Sequence, residues 1–425
     1  MRLPDSIRRF WVRQKTNFKV MIARDSIRML SGRKPQSRIR MAGGYESIFL
    51  RRLGATPIQM GLTNGAISLL NVLLAVPAGW LTDNTRNIRG LYLVSFALGL
   101  PAQLLMAFSP SWTVFLVVML YYTMTLTVLL PNQLIMDIDS ITNEDRVTGL
   151  SVHRTITAVT GVASPLMLAY IVDRFGGLET ARGIRPVFII QFVADLVIFV
   201  ILYLKLDNVV IERGLDRSSL YDGLREVLGG PLPIKLMLLR DVSTMFVMGM
   251  VSPFIGIYQV DVKMATIFIF AWIAVVEPAV DIFLSIPAAR IVELYGRKRT
   301  AYLGHLIGIA SRMVLVMTPA SLPILLIGYS FLGSVEGCLY LGYDAYGQEI
   351  IPQEMRGKWM GVRNTIIGVM GVFTPVLGGF VWNVGPDYLM WLPVLQWTLV
   401  GLPIMVFLME RHSVDGMVQP RIQAE

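Results

Sequence analysis

The sequence predicts an all-α polytopic membrane protein: two pseudo-symmetric six-helix bundles, with eleven clear spans and a degenerate first one. Three observations carry that expectation. The 425 residues are 54% hydrophobic and only 16% charged, where soluble chains carry about a quarter charged residues. The apolar residues are gathered into runs of about the 20 residues that cross a bilayer. The second half of the chain repeats the first at a fixed displacement.

The apolar runs lie near 58–82, 90–109, 111–136, 149–172, 185–204, 241–262, 264–292, 299–318, 320–346, 359–383 and 387–409. Their interiors hold prolines such as Pro77, Pro101, Pro131, Pro165, Pro278 and Pro375. Transport proteins use such interrupted helices where neighbours or a cavity satisfy the freed backbone groups. The first 15 residues lack the apolar core of a secretory signal. The single Cys338 forms no disulfide within the chain.

The net charge of +9 belongs to one end of the chain. Residues 1–56 hold 14 Lys/Arg against 3 Asp/Glu, so the remainder sums to about −2. A basic leader beside membrane spans fits anionic cytoplasmic lipid better than nucleic acid. One set of alternate loops holds Arg86 and Arg89, Arg146, six basic residues in 205–240, Arg297 to Arg299, and Arg356 with Lys358. The opposite set includes "FSPSW", "MTPAS" and "NVGPD", free of Lys and Arg. The positive-inside rule makes the first set cytoplasmic, with both termini on that side.

The organisation read from these features is a basic leader (1–44), an N-terminal bundle (45–204), a linker (205–240), a C-terminal bundle (241–410) and a cytoplasmic tail (411–425). In the linker, Leu220, Leu224 and Leu228 repeat at i, i+4, i+8, after a capping pair Ser219 and Asp222. This predicts a short amphipathic helix, either on the membrane surface or simply connecting the halves.

A displacement of 210 residues aligns Pro77 with Pro287, Asp83 with Glu293, Arg146 with Arg356, Gly161 with Gly371 and Pro165 with Pro375. "NEDRVTGLSVHRT" falls on "QEMRGKWMGVRNT". A single offset joining separated motifs indicates two repeated halves, an architecture common among transporters.

"GWLTDNTRNIR" (79–89) and "ARIVELYGRKR" (289–299) resemble the cytoplasmic loop signature of the major facilitator superfamily. "FLRRLGATPIQMGL" (49–62) is similar to that family as well. The first copy keeps Gly79, Leu81 and Asp83 but has Arg86 in place of glycine; the second keeps Gly296, Arg297 and Lys298 but has Glu293 for aspartate. A carboxylate ending one helix is disfavoured by that helix's dipole and is drawn to the start of another and to arginine. The resemblance implies that Asp83 meets the start of the span at 359, and Glu293 the start of the span at 149, when the cytoplasmic side is closed. Arg86, Arg89, Arg146 and Arg356 complete the expected gating set.

One stretch departs from the pattern. "LSGRKPQSRIRMAGGYES" (30–47) stands where the first span belongs, yet holds Arg33, Lys34, Arg38 and Arg40. Its flanks, "ARDSIRML" and "YESIFLRRLGAT", still resemble the family. A local fault such as a compensated frameshift, a helix packed inside the bundle with charges toward a cavity, and a true eleven-span variant all fit the residues.

Charges inside spans are expensive and mark functional hypotheses. Glu277 and Asp281 lie at i, i+4 beside Pro278, a pattern for a proton-coupling pair or a cation site. Glu336 and Asp195 are further candidates, although Asp281 could pair with Arg312 and Asp195 could cap a kinked helix. Asn64, Ser68 and Asn71 share one helix face, and Asn132 with Gln133 lies in the span at 111–136. They fit a cavity lining or interhelical hydrogen bonds equally. His153 and Arg154 begin a span, with Arg154 read as an anchor. No phosphate-binding loop is present, and His153, His305 and His412 lack metal spacing. The expectation is therefore a monomeric, non-enzymatic transporter of small molecules in the cell membrane, working without cofactor or metal. Alternating access would be driven by protons through Glu277 and Asp281. Acidic in-span residues point to export of cationic or amphiphilic compounds. Uptake of a sugar or organic solute is the alternative, and a non-transporting sensor or scaffold a third.

Overall fold

A computed structural model describes residues 11, 14–33, 44–141, 146–208, 225, 229–340, 343, 351 and 355–411. The predicted linker helix around 219–230, most of the tail, and Lys34, Arg38 and Arg40 lie outside the described residues, as do the side chains of Arg146 and Lys298.

Helices fill the described chain, with no strand among those residues. The first half comprises α1 (Thr16–Leu30), α2 (Tyr45–Arg52), α3 (Pro57–Asn84), α4 (Ile88–Ala107), α5 (Trp112–Asp139), α6 (Arg146–Arg174) and α7 (Ala181–Lys205). The second comprises α8 (Leu232–Val251), a short turn and π-helical piece (Ile255–Val262), α9 (Ile267–Tyr295), α10 (Arg297–Met317), α11 (Leu325–Leu339), α12 (Arg356–Val384) and α13 (Pro386–Gln396). A π-turn (Trp397–Gly401) joins α13 to α14 (Leu402–Arg411). Each of the eleven apolar runs has become a helix. Nine described helices are long and apolar enough to cross a membrane, and α8 with the piece after it, bent by 51°, makes a tenth.

The repeat is visible in the helix ends. α6 and α12 begin and end 210 positions apart, and α3 and α9 begin so. The shared start has a chemical cause. Thr56 caps α3 by accepting from the Gln59 amide while Gln59 Oε1 accepts from the Thr56 amide, and the Thr266 side chain caps α9 by accepting from the Ile269 amide, without the reciprocal bond. Just before each cap the backbone turns left-handed, at Gly54 (φ 91°) and at Met264 (φ 58°).

The first span exists in two pieces. α1, within the segment read as leader, packs against α6 and α7; α2 lies over the start of the piece at Ile255. α2 and the piece Ile255–Val262 occupy equivalent places in the repeat. α1 and α2 thus stand on either side of the unusual stretch, and both are packed in the bundle.

The hydrophobic core has a telling distribution. At the end away from the basic loops, one continuous cluster joins the two bundles, running through Phe49, Met60, Phe115, Leu168 and Phe188 into Met250, Phe254, Phe270 and Leu389. At the basic end each bundle has its own: Tyr92, Phe96, Leu129 and Leu202 in the first, Ile234, Ala301, Trp359 and Val362 in the second. The bundles thus share a core at one end only.

Candidate functional site

Helices α3 and α12 form one large contact between the bundles, and α6 and α9 a second. At the far end α3 and α12 touch backbone to backbone. A Cβ on Gly61 would fall on the Pro375 carbonyl oxygen, and one on Gly65 on that of Val372. At the basic end of the same helices, Gly79, Gly357 and Gly361 have open space where a side chain would be. The far end is further tied by Arg52, which donates Nη2 to Asp261 Oδ1 at 2.5 Å and Nε to the Leu178 carbonyl at 2.7 Å. The rings of Tyr45 and Phe270 meet edge to face across the bundles. Among the described residues, the contact between the bundles is tight at the far end and loose at the basic end.

Two ion clusters stand in equivalent places on the first helix of each half. In the first, Arg24 on α1 donates to both oxygens of Asp25 (2.8 and 2.9 Å) and both of Asp137 on α5 (2.9 and 2.8 Å). Asp25 Oδ2 also meets His153 Nε2 on α6 at 2.9 Å. In the second, Arg363 on α12 donates Nε to Asp241 Oδ2 on α8 at 2.8 Å. Arg240 lies 3.5 Å from Asp241 Oδ1, donates to the Tyr340 hydroxyl, and rests 3.8 Å from the centre of the Tyr343 ring. His153 and Arg363 are equivalent at the 210-residue displacement, whereas the Arg–Asp pairs differ by 216. Extra chain between α1 and α2 accounts for the difference. From the sequence neither Arg–Asp pair was given a role; their recurrence on the first helix of each half was the available signal.

The predicted site residues fall into separate groups. Asp195 on α7 is buried and takes Arg33 Nη1 at 2.6 Å. Arg33, with Arg28, Phe96, Tyr122 and Asp195, lines a small pocket inside the first bundle. Arg33 thus brings charge from the anomalous stretch onto an in-span acid. Glu336 on α11 lies 4.0 Å from Arg312, which stacks at 3.7 Å on the Trp397 ring and donates to the Gly308 carbonyl. Arg312 thus pairs with Glu336, and not with Asp281, the alternative partner that the sequence offered. Asp281 instead accepts from Cys338 Sγ at 3.8 Å. Glu277, half-buried on α9, shares with Glu336 and Arg312 the electrostatic surroundings of Tyr329.

The amides serve the helix contacts. Asn71 Oδ1 accepts from Thr127, and fully buried Asn132 donates to Thr82, so both tie α3 to α5. Asn64 donates to its own helix at Met60. Of the gating set, Asp83 and Glu293 sit exposed near the basic ends of α3 and α9, as do Arg86 in its loop and Arg297 at the start of α10. Arg89 donates to the Tyr203 carbonyl at the end of α7, Gly296 (φ 82°) separates α9 from α10, and Arg356 donates to the Ile351 carbonyl.

The sequence model of the Major Facilitator Superfamily matches residues 40–276 and 242–423. An uncharacterized MFS-type transporter of Mycobacterium tuberculosis (strain H37Rv), Rv1877, is 28% identical over 133 residues, which is 31% of this chain. That match spans only 18% of the relative's length. Among solved structures, the nucleoside transporter NupG superposes with a TM-score of 0.71 at 8% identity, covering 93% of this chain and 98% of that one. A POT family transporter in complex with a thioalcohol-conjugated peptide gives 0.67 at 13% identity, covering 92% and 95%.

Proposed function

The chain belongs to the Major Facilitator Superfamily, and from that membership we propose that it moves a polar small molecule across the cell membrane by alternating access, driven by protons. The observation that carries this reading is the core shared by the bundles at one end and divided at the other. Two bundles joined at one end around a mid-membrane site are what rocking requires. With the basic loops on the cytoplasmic side, this is the inward-open state, and Arg52 with Asp261 closes the outside.

Export of a cation drew its support from the number of acids inside the spans. Several of those acids are engaged: Asp195 by Arg33, Glu336 by Arg312, Asp25 and Asp137 by Arg24, Asp241 by Arg363. A cation bound at any of these five would have to displace an arginine, which weighs toward uptake or exchange of a polar organic solute. For the proton, Glu277 and Asp281 remain the proposed pair, on a helix that forms part of the inter-bundle contact.

Proteoliposomes holding a pH-sensitive dye test this directly. Organic acids, amino acids, sugars and organic cations are applied in turn. At least one class is expected to drive proton movement. Glu277→Gln is expected to abolish that movement while preserving exchange of the same compound. Unchanged coupling in the mutant removes Glu277 from the mechanism. Absence of flux with every class favours a sensor or scaffold.

A further inference from the structure

The two mirrored ion clusters have opposite charge balance. In the first, one arginine meets two carboxylates, with four contacts between 2.8 and 2.9 Å, and His153 covers the remaining face of Asp25. In the second, one carboxylate serves two arginines. Asp241 is committed to Arg363 at 2.8 Å, and Arg240 is left with the weaker 3.5 Å approach. Arg240 is 2% exposed, and its Nε has no hydrogen-bond partner.

A buried charge without full compensation is strongly unfavourable, and in a bundle interior it persists only with a partner or a purpose. The Tyr340 hydroxyl and the Tyr343 ring face ease the cost through dipoles. Neither supplies a negative charge. We propose that the Arg240–Arg363 cluster binds an anionic group of the transported molecule, a carboxylate or a phosphate. The proposal rests on the transport reading and names its substrate class.

The geometry suits that role. Arg363 is a quarter exposed near the basic end of α12, whereas Arg240 is 2% exposed, so an anion entering from that end reaches Arg363 first. Arg240 lies behind it on α8, held by aromatic groups, with unused hydrogen-bonding capacity at Nε. A planar fork of donors beside a second guanidinium is the arrangement that reads carboxylate or phosphate oxygens. The equivalent place in the first half is His153, already engaged with Asp25. Anion recognition is thereby confined to the second half.

The test is thermal unfolding of the purified full-length chain at constant ionic strength. The probes are lactate, succinate, inorganic phosphate and glycerol 3-phosphate, with spermidine, tetraphenylphosphonium and glucose alongside. A compound that binds only the folded protein raises the midpoint with its concentration. At least one anion is expected to do so, and the carboxylate and phosphate arms say which group is read. Arg363→Gln is expected to raise the half-saturating concentration about tenfold or more, the loss of one charge-assisted contact. Arg363→Lys should recover part of it, and Asp241→Asn, which removes the competing carboxylate, should lower it. A response to cations or glucose alone, an anion response unchanged by Arg363→Gln, or no anion response overturns the proposal. In the first case flux of the cation or sugar in proteoliposomes leaves the transport reading intact. Absence of flux with every compound removes the transport reading itself.

Discussion

Arg33 and Asp195 illustrate how a charge can live inside a membrane bundle. Asp195 is an acid in an apolar run, and Arg33 comes from the stretch too charged to insert alone; at 2.6 Å each satisfies the other. Breaking a buried pair by removing one partner costs about 3–5 kcal/mol, far more than removing both. Arg33→Gln is therefore expected to lower the unfolding midpoint sharply, and adding Asp195→Asn should recover most of the loss. A double mutant no better than the single one would show that the pair is not an energetic unit. Read in sequence, Asp195 looked like a site residue because its partner is 162 positions away. Asn71 and Asn132 were ambiguous for the same reason: whether an amide on a helix face binds cargo or another helix depends on what stands opposite.

Helix ends and helix contacts are decided by neighbours a few residues away, or by the absence of a side chain. The capping threonines at 56 and 266 recur because each starts a span after a tight turn. The first turn uses Gly54 at positive φ, the second Met264. A left-handed backbone costs a non-glycine residue about 1–2 kcal/mol, partly offset by the greater freedom glycine has when unfolded. Met264→Gly is accordingly expected to raise stability by up to about 1 kcal/mol, read as a higher unfolding midpoint; a lower midpoint would mean that the Met264 side chain contributes more than its backbone loses. Gly61 is the opposite case. Its missing side chain lets α3 lie on the α12 backbone, and overpacking such a contact costs about 1–3 kcal/mol. Gly61→Val should destabilise the far-end contact and increase reactivity of groups buried there.

Among the described residues the two bundles share a core at one end only, which is where the proposed rocking would pivot. Arg52 and Asp261, 209 residues apart, fasten that end. Met60 is 1% exposed in the core that the bundles share at that end. With Cys338 replaced by serine and Met60→Cys as the only thiol, an impermeant thiol reagent applied from outside is expected to react slowly. Adding Arg52→Ala should raise that rate several-fold by releasing the outer ends. An unchanged rate would mean that apolar packing alone holds the closure.

What the sequence determined by itself is the fold: span length, loop charge and the 210-residue repeat are periodic or local, so eleven runs became helices at the expected places. It also placed the acids and amides on their spans. It could not determine which charges cancel. Arg24 reaches Asp137 across 113 residues, Arg363 reaches Asp241 across 122, and the broken first span is held by contacts with α6 and α7. Tertiary structure decided those pairings, because in a medium without water a charge is defined by its partner, and partners are chosen by packing rather than by order along the chain.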